Sequence, residues 1–193
     1  VTSGYGLTEA GLKTTGRDAR VLPRTVVYDA ELSLSLPMAT SVVSMLNAIA
    51  HAAEGVYAPD GNPVIDAMAE EGIRSGVAAL ERLRRDARDV QARGDALVAA
   101  WLCGTVLGHT TIGLHHKLCH TLGGSFELPH AEVHTVVLPH ALAYNAAAAP
   151  EAMHRIRRAL GPADAARSAP AGVFDLASRH GAPMALRDIG MPE

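Results

Sequence analysis

The chain has 193 residues, 48% of them apolar and only 4% aromatic, which is enough for one well-packed domain, and its wealth of Ala and Leu favours helix. A net charge of -3, with no sustained basic run outside residues 82–93, excludes an electrostatic case for nucleic acid and leaves small molecules as the partner class. The two cysteines, Cys103 and Cys119, have neither CxxC spacing nor a secretory signal beside them, so a reduced cytoplasmic setting is expected. No apolar run is long enough to span a bilayer.

Residues 1–37 are the least helical part. TSGYGLTE, and VVYD after Pro23, read as short extended pieces between Gly and charged turns, with Lys13 in a polar loop. Pro37 then precedes a first long helix over residues 39–57, apolar almost all round in the manner of a central buried helix. Its segment MLNAIAHAAE places Asn47 and His51 one turn apart, with Glu54 close behind. A polar group buried there without a partner costs a few kcal/mol, so each needs a hydrogen bond or a ligand, and Glu54 fits a cap or a pairing group.

After the turn YAPDGNP, Asn62-Pro63 reads as an N-cap and first helical proline, opening a helix over residues 63–85. The mixed-sign run ERLRRDARDVQARGD reads as a solvated face. A further apolar helix over residues 95–109 places Trp101 and Cys103 in the core, with His109 positioned to cap its last carbonyls.

The stretch LHHKLCHTLGGSFELPH, residues 114–130, organises the rest. It gathers His115, His116, His120 and His130 in an apolar helical pattern where imidazole has no packing advantage. His116 and His120 share one helix face, which suits a divalent metal or proton transfer. Gly123 and Gly124 are expected to end that helix, and SFELP then returns His130 near the start of the next. Three imidazoles with the Asn47 oxygen make an N3O set of the kind that suits Fe, Zn or Ni. Residues 131–145 form a helix bent at Pro139, with His134 one turn beyond His130 as a pocket candidate and His140 as a structural residue. The remainder reads as two amphipathic helices and a loop, with His154 and His180 at the surface.

NAIAHAAE followed by GLHHKLCHTLGGSFELPHAEVHTVVLPHALAYN resembles the iron-containing (group III) alcohol dehydrogenase superfamily. There an Asp and a His one turn apart, a His in a G-x-x-H-x-x-x-H-x-x-G segment and a His fourteen residues later bind the metal. The opening YGLTEAGLKTTGRDARVLPRTVVYDAELSLSLP, the HHKLCH segment and Asn47 look most like the maleylacetate reductase branch.

The resemblance implies a mainly α fold: an all-helical catalytic and metal-binding domain over residues 38–193. Residues 1–37 would be the short β remnant and crossover of an α/β dinucleotide-binding domain. On this reading the chain is a fragment without most of that domain and without the C-terminal end, inactive by itself, in keeping with the absence of a Gly-rich phosphate turn. The implied metal ligands are Asn47, His51, His116 and His130, and the implied catalytic set is His51, His116, His120 and His130. His120 would lie beside nicotinamide and substrate, Lys13 would meet the cofactor, and Lys117 is a candidate for a substrate carboxylate unless it snorkels to solvent.

The implied reaction is NADH- or NADPH-dependent reduction of maleylacetate to 3-oxoadipate, in the breakdown of aromatic and chloroaromatic compounds. The partner would be a small dicarboxylate, not nucleic acid or membrane, and the full-length protein a cytoplasmic homodimer. Asn47 supplies a neutral oxygen where the superfamily has an anionic one. Two mechanisms follow, one with a weakly held Fe2+ or Zn2+ and one without metal in which imidazoles act directly on the keto group. A metal-dependent alcohol dehydrogenase of the same superfamily and a non-catalytic helical metal-binding module are the competing expectations.

Overall fold

The computed structural model describes residues 2–9, 12–162 and 167–192, with backbone alone at 8, 12, 13 and 15. At its start an antiparallel hairpin pairs β1 (Gly4–Glu9) with β2 (Leu12–Arg17), in a register that sets Gly4 opposite Arg17 and Tyr5 opposite Gly16. Gly16 leaves room for the Tyr5 ring, because a Cβ there would lie 2.6 Å from the Tyr5 hydroxyl. Two 3-10 turns, Ala19–Val21 and Glu31–Ser33, follow. VVYD, expected to be extended, forms no strand between them.

Helix α1 (Met38–Gly55) starts directly after Pro37 and is the pillar of the core, with Leu46, Ile49, Ala50, Ala52 and Ala53 wholly buried. Each large apolar side chain so buried stabilises the fold by roughly 1.5–3 kcal/mol. Helices α2 (Pro63–Arg85) and α3 (Val90–His109) pack against it and each other. The Asn62 side chain caps α2, accepting from the amides of Val64 and Ile65 at 3.0 and 3.1 Å.

Helix α3 begins at Val90 rather than near residue 95, because Asp89 caps it through the Ala92 amide at 2.9 Å. Arg82 clamps the junction by reaching Asp89 at 3.0 Å and Asp95 at 2.6 Å. The run expected to be a solvated face therefore holds structural ties. Arg93 within it is only 3% exposed, and it donates to Ser41 Oγ at 2.7 Å and to the carbonyls of Leu36 and Ala87. Trp101, expected in the core, is 42% exposed. The inward face of α3 is set by Ala99, Leu102, Cys103 and Val106, and about 100° of rotation per residue turns Trp101 away from it.

Helix α4 (Leu114–Phe126) does not stop at Gly123 and Gly124 but runs through both. Its end is set downstream: Glu127 adopts a left-handed conformation (φ 53°), and Pro129 bars the residue before it from the helical region. Helix α5 (His130–Asn145) starts immediately after that proline and continues through Pro139. Between α4 and α5 lies a small second core of Cys119, Leu128, Val133, Val137 and Ala141.

Helices α6 (Pro150–Leu160) and α7 (Ala169–Arg179) and a 3-10 turn, Leu186–Ile189, complete the bundle. Ion pairs tie α6 and α7 back to α2: Arg155 to Asp66 at 2.9 Å, Arg158 to Glu70, and Arg179 to Glu81 at 2.8 Å. His180 is not the surface residue expected. Its side chain is 1% exposed, with Nε2 3.3 Å from Glu81. Among the described residues no single helix is long and apolar enough to cross a membrane.

Candidate active site

The site is built where the C-terminal half of α1 meets the N-terminus of α4. Asn47, His51 and Glu54 sit four and three residues apart, a spacing that puts them on one face of α1. The first turn of α4 has backbone N–H groups with no partner inside the helix, and its dipole favours an anion there. Glu54, 3% exposed, supplies that anion across the chain. It accepts from the amides of His115 at 2.8 Å and Gly113 at 3.0 Å, and more distantly from that of His116 at 3.4 Å. Gly113 makes the approach possible, since a Cβ at that residue would lie 2.6 Å from Glu54 Oε1.

The same carboxylate orients His116. Glu54 Oε2 lies 2.6 Å from His116 Nδ1, and a carboxylate can only accept, so Nδ1 carries the proton. Nε2 of His116 is then left buried and without a hydrogen-bond partner. Burial works against charge on Glu54, but the hydrogen bond and charge of His116 and the amides of His115 and Gly113 hold its pKa down at about 2. The Tyr57 hydroxyl, 3.5 Å from Glu54, is held protonated by burial and by that charge.

Around His116 the other imidazoles close in. Ring centroids lie 4.8 Å from His51 and 4.9 Å from His134, and His134 lies 4.3 Å from His130. His120, one turn along α4 from His116, faces His130 with nearly parallel rings 6.2 Å apart. His51 Nε2 is 3.1 Å from Asn47 Oδ1. His115 is wholly buried, and its Nε2 meets the His134 carbonyl at 3.0 Å. His134 is also wholly buried, with no partner for either ring nitrogen. Burial first, and then neighbouring imidazoles, push His51 down to about 3; burial likewise takes His115 down to about 4 and lowers His134 further. These three are neutral at physiological pH and offer lone pairs.

The ligating atoms of His51, His116 and His134 all lie within 4.8 Å of one another. Three imidazole nitrogen donors, two of them on side chains with partnerless buried nitrogens, fit a divalent ion of the Zn2+ or Fe2+ type. Glu54 stands behind His116 as the outer carboxylate that such ligands commonly have. The expected ligand His130 borders this trio, its ring centroid 4.3 Å from that of His134, and Asn47 is engaged with His51.

An open cleft of about 760 Å³ leads to the cluster. The helices contribute His51, His116, His120 and His130 to it, and the hairpin contributes Tyr5, Gly6, Gly16 and Arg17. On the α1–α2 turn Asp60 accepts from the Thr111 amide and hydroxyl at 2.9 and 2.8 Å, and His109 bonds the Thr105 carbonyl of its own helix at 2.8 Å. Lys117 follows His116 by about 100° of helix, is exposed and does not line the cleft. Lys13 lies in β2 opposite Thr8; its side chain lies outside the described residues.

The sequence reading undervalued three groups: Glu54, His115 and His134. Their signal was spacing: Glu54 three residues after His51 on the buried face, and His134 four after His130.

Residues 41–193 match the Fe-containing alcohol dehydrogenase family, C-terminal. The chain is 64% identical over 192 residues to a maleylacetate reductase of Burkholderia cepacia and 58% identical over 193 residues to one of Pseudomonas knackmussii. Both alignments take in 100% of this chain, but only 53% and 54% of those relatives, so the chain spans about half their length. Among solved structures it resembles a maleylacetate reductase of Agrobacterium tumefaciens, with a TM-score of 0.93, 52% identity and coverage of 100% of this chain and 53% of that one. The maleylacetate reductase of Rhizobium sp. strain MTP-10005 gives a TM-score of 0.93 at 49% identity, with the same coverage.

Proposed function

This chain belongs to the Fe-containing alcohol dehydrogenase family, and from that premise we propose that it forms the helical, carbonyl-polarising part of an NAD(P)H-dependent maleylacetate reductase. The observation that carries the reading is His116, locked by Glu54 with a bare, buried Nε2 among imidazoles at the floor of an open cleft. The relatives it matches across its whole length carry the name of that reaction. We further propose that residues 1–37 are the edge of a dinucleotide-binding domain, that the protein works in the cytoplasm as a homodimer, and that Lys13 meets the cofactor.

Maleylacetate has a carbon-carbon double bond conjugated to a ketone, with a carboxylate at each end. Reduction adds a hydride to the alkene carbon remote from the ketone, moves electron density onto the keto oxygen and places a proton on the carbon next to it. A bound nicotinamide supplies the hydride, and a divalent ion, where bound, supplies Lewis acidity at the keto oxygen. His51 and His116, with His134 or the adjacent His130, are the residues that would hold the ion, and burial keeps a ring nitrogen of His51 and of His134 unprotonated for that role. In the metal-free alternative the exposed rings of His120 and His130 reach the cleft and donate N–H groups to the keto oxygen, where charge develops. Asn47 fixes His51 without adding a carboxylate charge beside a dicarboxylate substrate.

The test is NADH oxidation dependent on maleylacetate, in a protein of the relatives' length, with metal content measured before and after chelator treatment. Turnover is expected, and its survival or loss on chelation selects between the two means of polarising the ketone. No turnover with maleylacetate in either preparation refutes the assignment.

A further inference from the structure

A dicarboxylate entering this cleft needs a cation, and among the described residues lining the cleft Arg17 is the one Lys or Arg. We propose that Arg17 is the carboxylate anchor of the site and sets its preference for an anionic substrate; the inference rests on the maleylacetate reading above.

Arg17 stands in a hydrogen-bonded ladder. Its backbone pairs with Gly4 at the end of β2, and the ladder is prolonged by the Asp18 amide donating to the Ser3 carbonyl at 3.0 Å. The neighbouring position, Gly16, admits the Tyr5 ring from across the hairpin, so the strand surface beside Arg17 is fixed by a close cross-strand contact. Among the described residues the guanidinium is also uncommitted. Asp18, the nearest carboxylate in sequence, is taken by Arg20 at 2.5 Å, and no hydrogen bond or ion pair with a described residue involves the Arg17 side chain.

The other cleft residues strengthen the case by elimination. Asp60 carries the one carboxylate of the lining, and the Thr111 amide and hydroxyl keep it ionised, so the α1–α2 side repels an acid. The imidazoles of His51, His116, His120 and His130 line the cleft, where the reading above places the keto group. A planar guanidinium can take a carboxylate through two parallel N–H bonds, which fixes the orientation of the substrate as well as holding it. Lys117, on the exposed side of α4, is not among the residues that line the cleft.

The experiment is steady-state kinetics of Arg17→Gln and Arg17→Lys in a protein of the relatives' length, with maleylacetate and NADH varied separately. Arg17→Gln should raise KM for maleylacetate about tenfold or more, change kcat much less and leave KM for NADH unmoved, while Arg17→Lys recovers part of the loss. An unchanged KM for maleylacetate overturns the inference. So does a rise confined to KM for NADH, which would assign the guanidinium to a nucleotide phosphate. Failure of the unsubstituted protein to turn over maleylacetate overturns the reductase reading itself and the anchor with it, and is told apart by needing no variant. Because the Arg17 side chain is exposed and has no ion-pair partner among the described residues, both variants should match the parent in far-UV circular dichroism and melting temperature.

Discussion

Replacing Glu54 by Gln changes hardly any volume but should cost about 2–4 kcal/mol of stability. The carboxylate serves three close donors, the His115 amide at 2.8 Å on one oxygen and the Gly113 amide at 3.0 Å and His116 Nδ1 at 2.6 Å on the other. Glutamine has one accepting oxygen and an NH2 that would face a donor. At least one buried N–H loses its partner, at about 1–3 kcal/mol, and the start of α4 loses its compensating charge, at about 1 kcal/mol. Glu54→Ala strands all three donors and belongs with broken buried pairs, at about 3–5 kcal/mol. Urea unfolding followed by circular dichroism measures both. The acid dependence gives a second readout. A carboxyl whose pKa falls from 4.5 unfolded to about 2 folded contributes stability that is present above about pH 4.5 and lost as pH falls towards 2, so the gap between parent and Glu54→Gln should narrow over that window. A Glu54→Gln protein within about 0.5 kcal/mol of its parent at pH 7 would refute the capping argument.

Two further outcomes follow from the same geometry. His51 and His115 have folded pKa values of about 3 and about 4 against 6.5, so their contribution is complete above about pH 6.5 and declines as pH falls towards 4; thermal melts across that range should show the decline, and a flat profile would contradict their burial as neutral groups. Gly113→Ala should lower the melting temperature because its Cβ meets Glu54 Oε1 at 2.6 Å, whereas Gly124→Ala meets nothing within 4 Å in a helix interior and should stabilise by about 0.5–1 kcal/mol. Destabilisation by Gly124→Ala would show that the glycine pair has a role which the fold does not reveal.

What the sequence determined by itself was local. The helical periods, the Asn62-Pro63 start, the apolar pillar of α1 and the one-turn spacings of Asn47 with His51 and of His116 with His120 follow from 3.6 residues per turn and from capping chemistry, so they were legible without a fold. Glycine misled in α4, because the stop signal there is Pro129 acting on Leu128, and two glycines can remain helical when the following residues set the end. Charge misled in the run after α2, since only packing shows that Arg93 turns inward to Ser41 and the Leu36 carbonyl. Trp101 misled because an apolar helix has no legible inner face until its neighbours are placed.

Tertiary structure alone decided the site's architecture. Glu54 meets the amide of His115, 61 residues away, and no local pattern encodes that distance. The crossing of α1 over the start of α4 turns a carboxylate into a helix cap, sets the tautomer of His116 and brings His134 into the trio with His51. The hairpin's place similarly puts Arg17 and not Lys117 among the residues lining the cleft, because which cation reaches a cleft depends on how elements pack and not on how close it lies in sequence to the histidines.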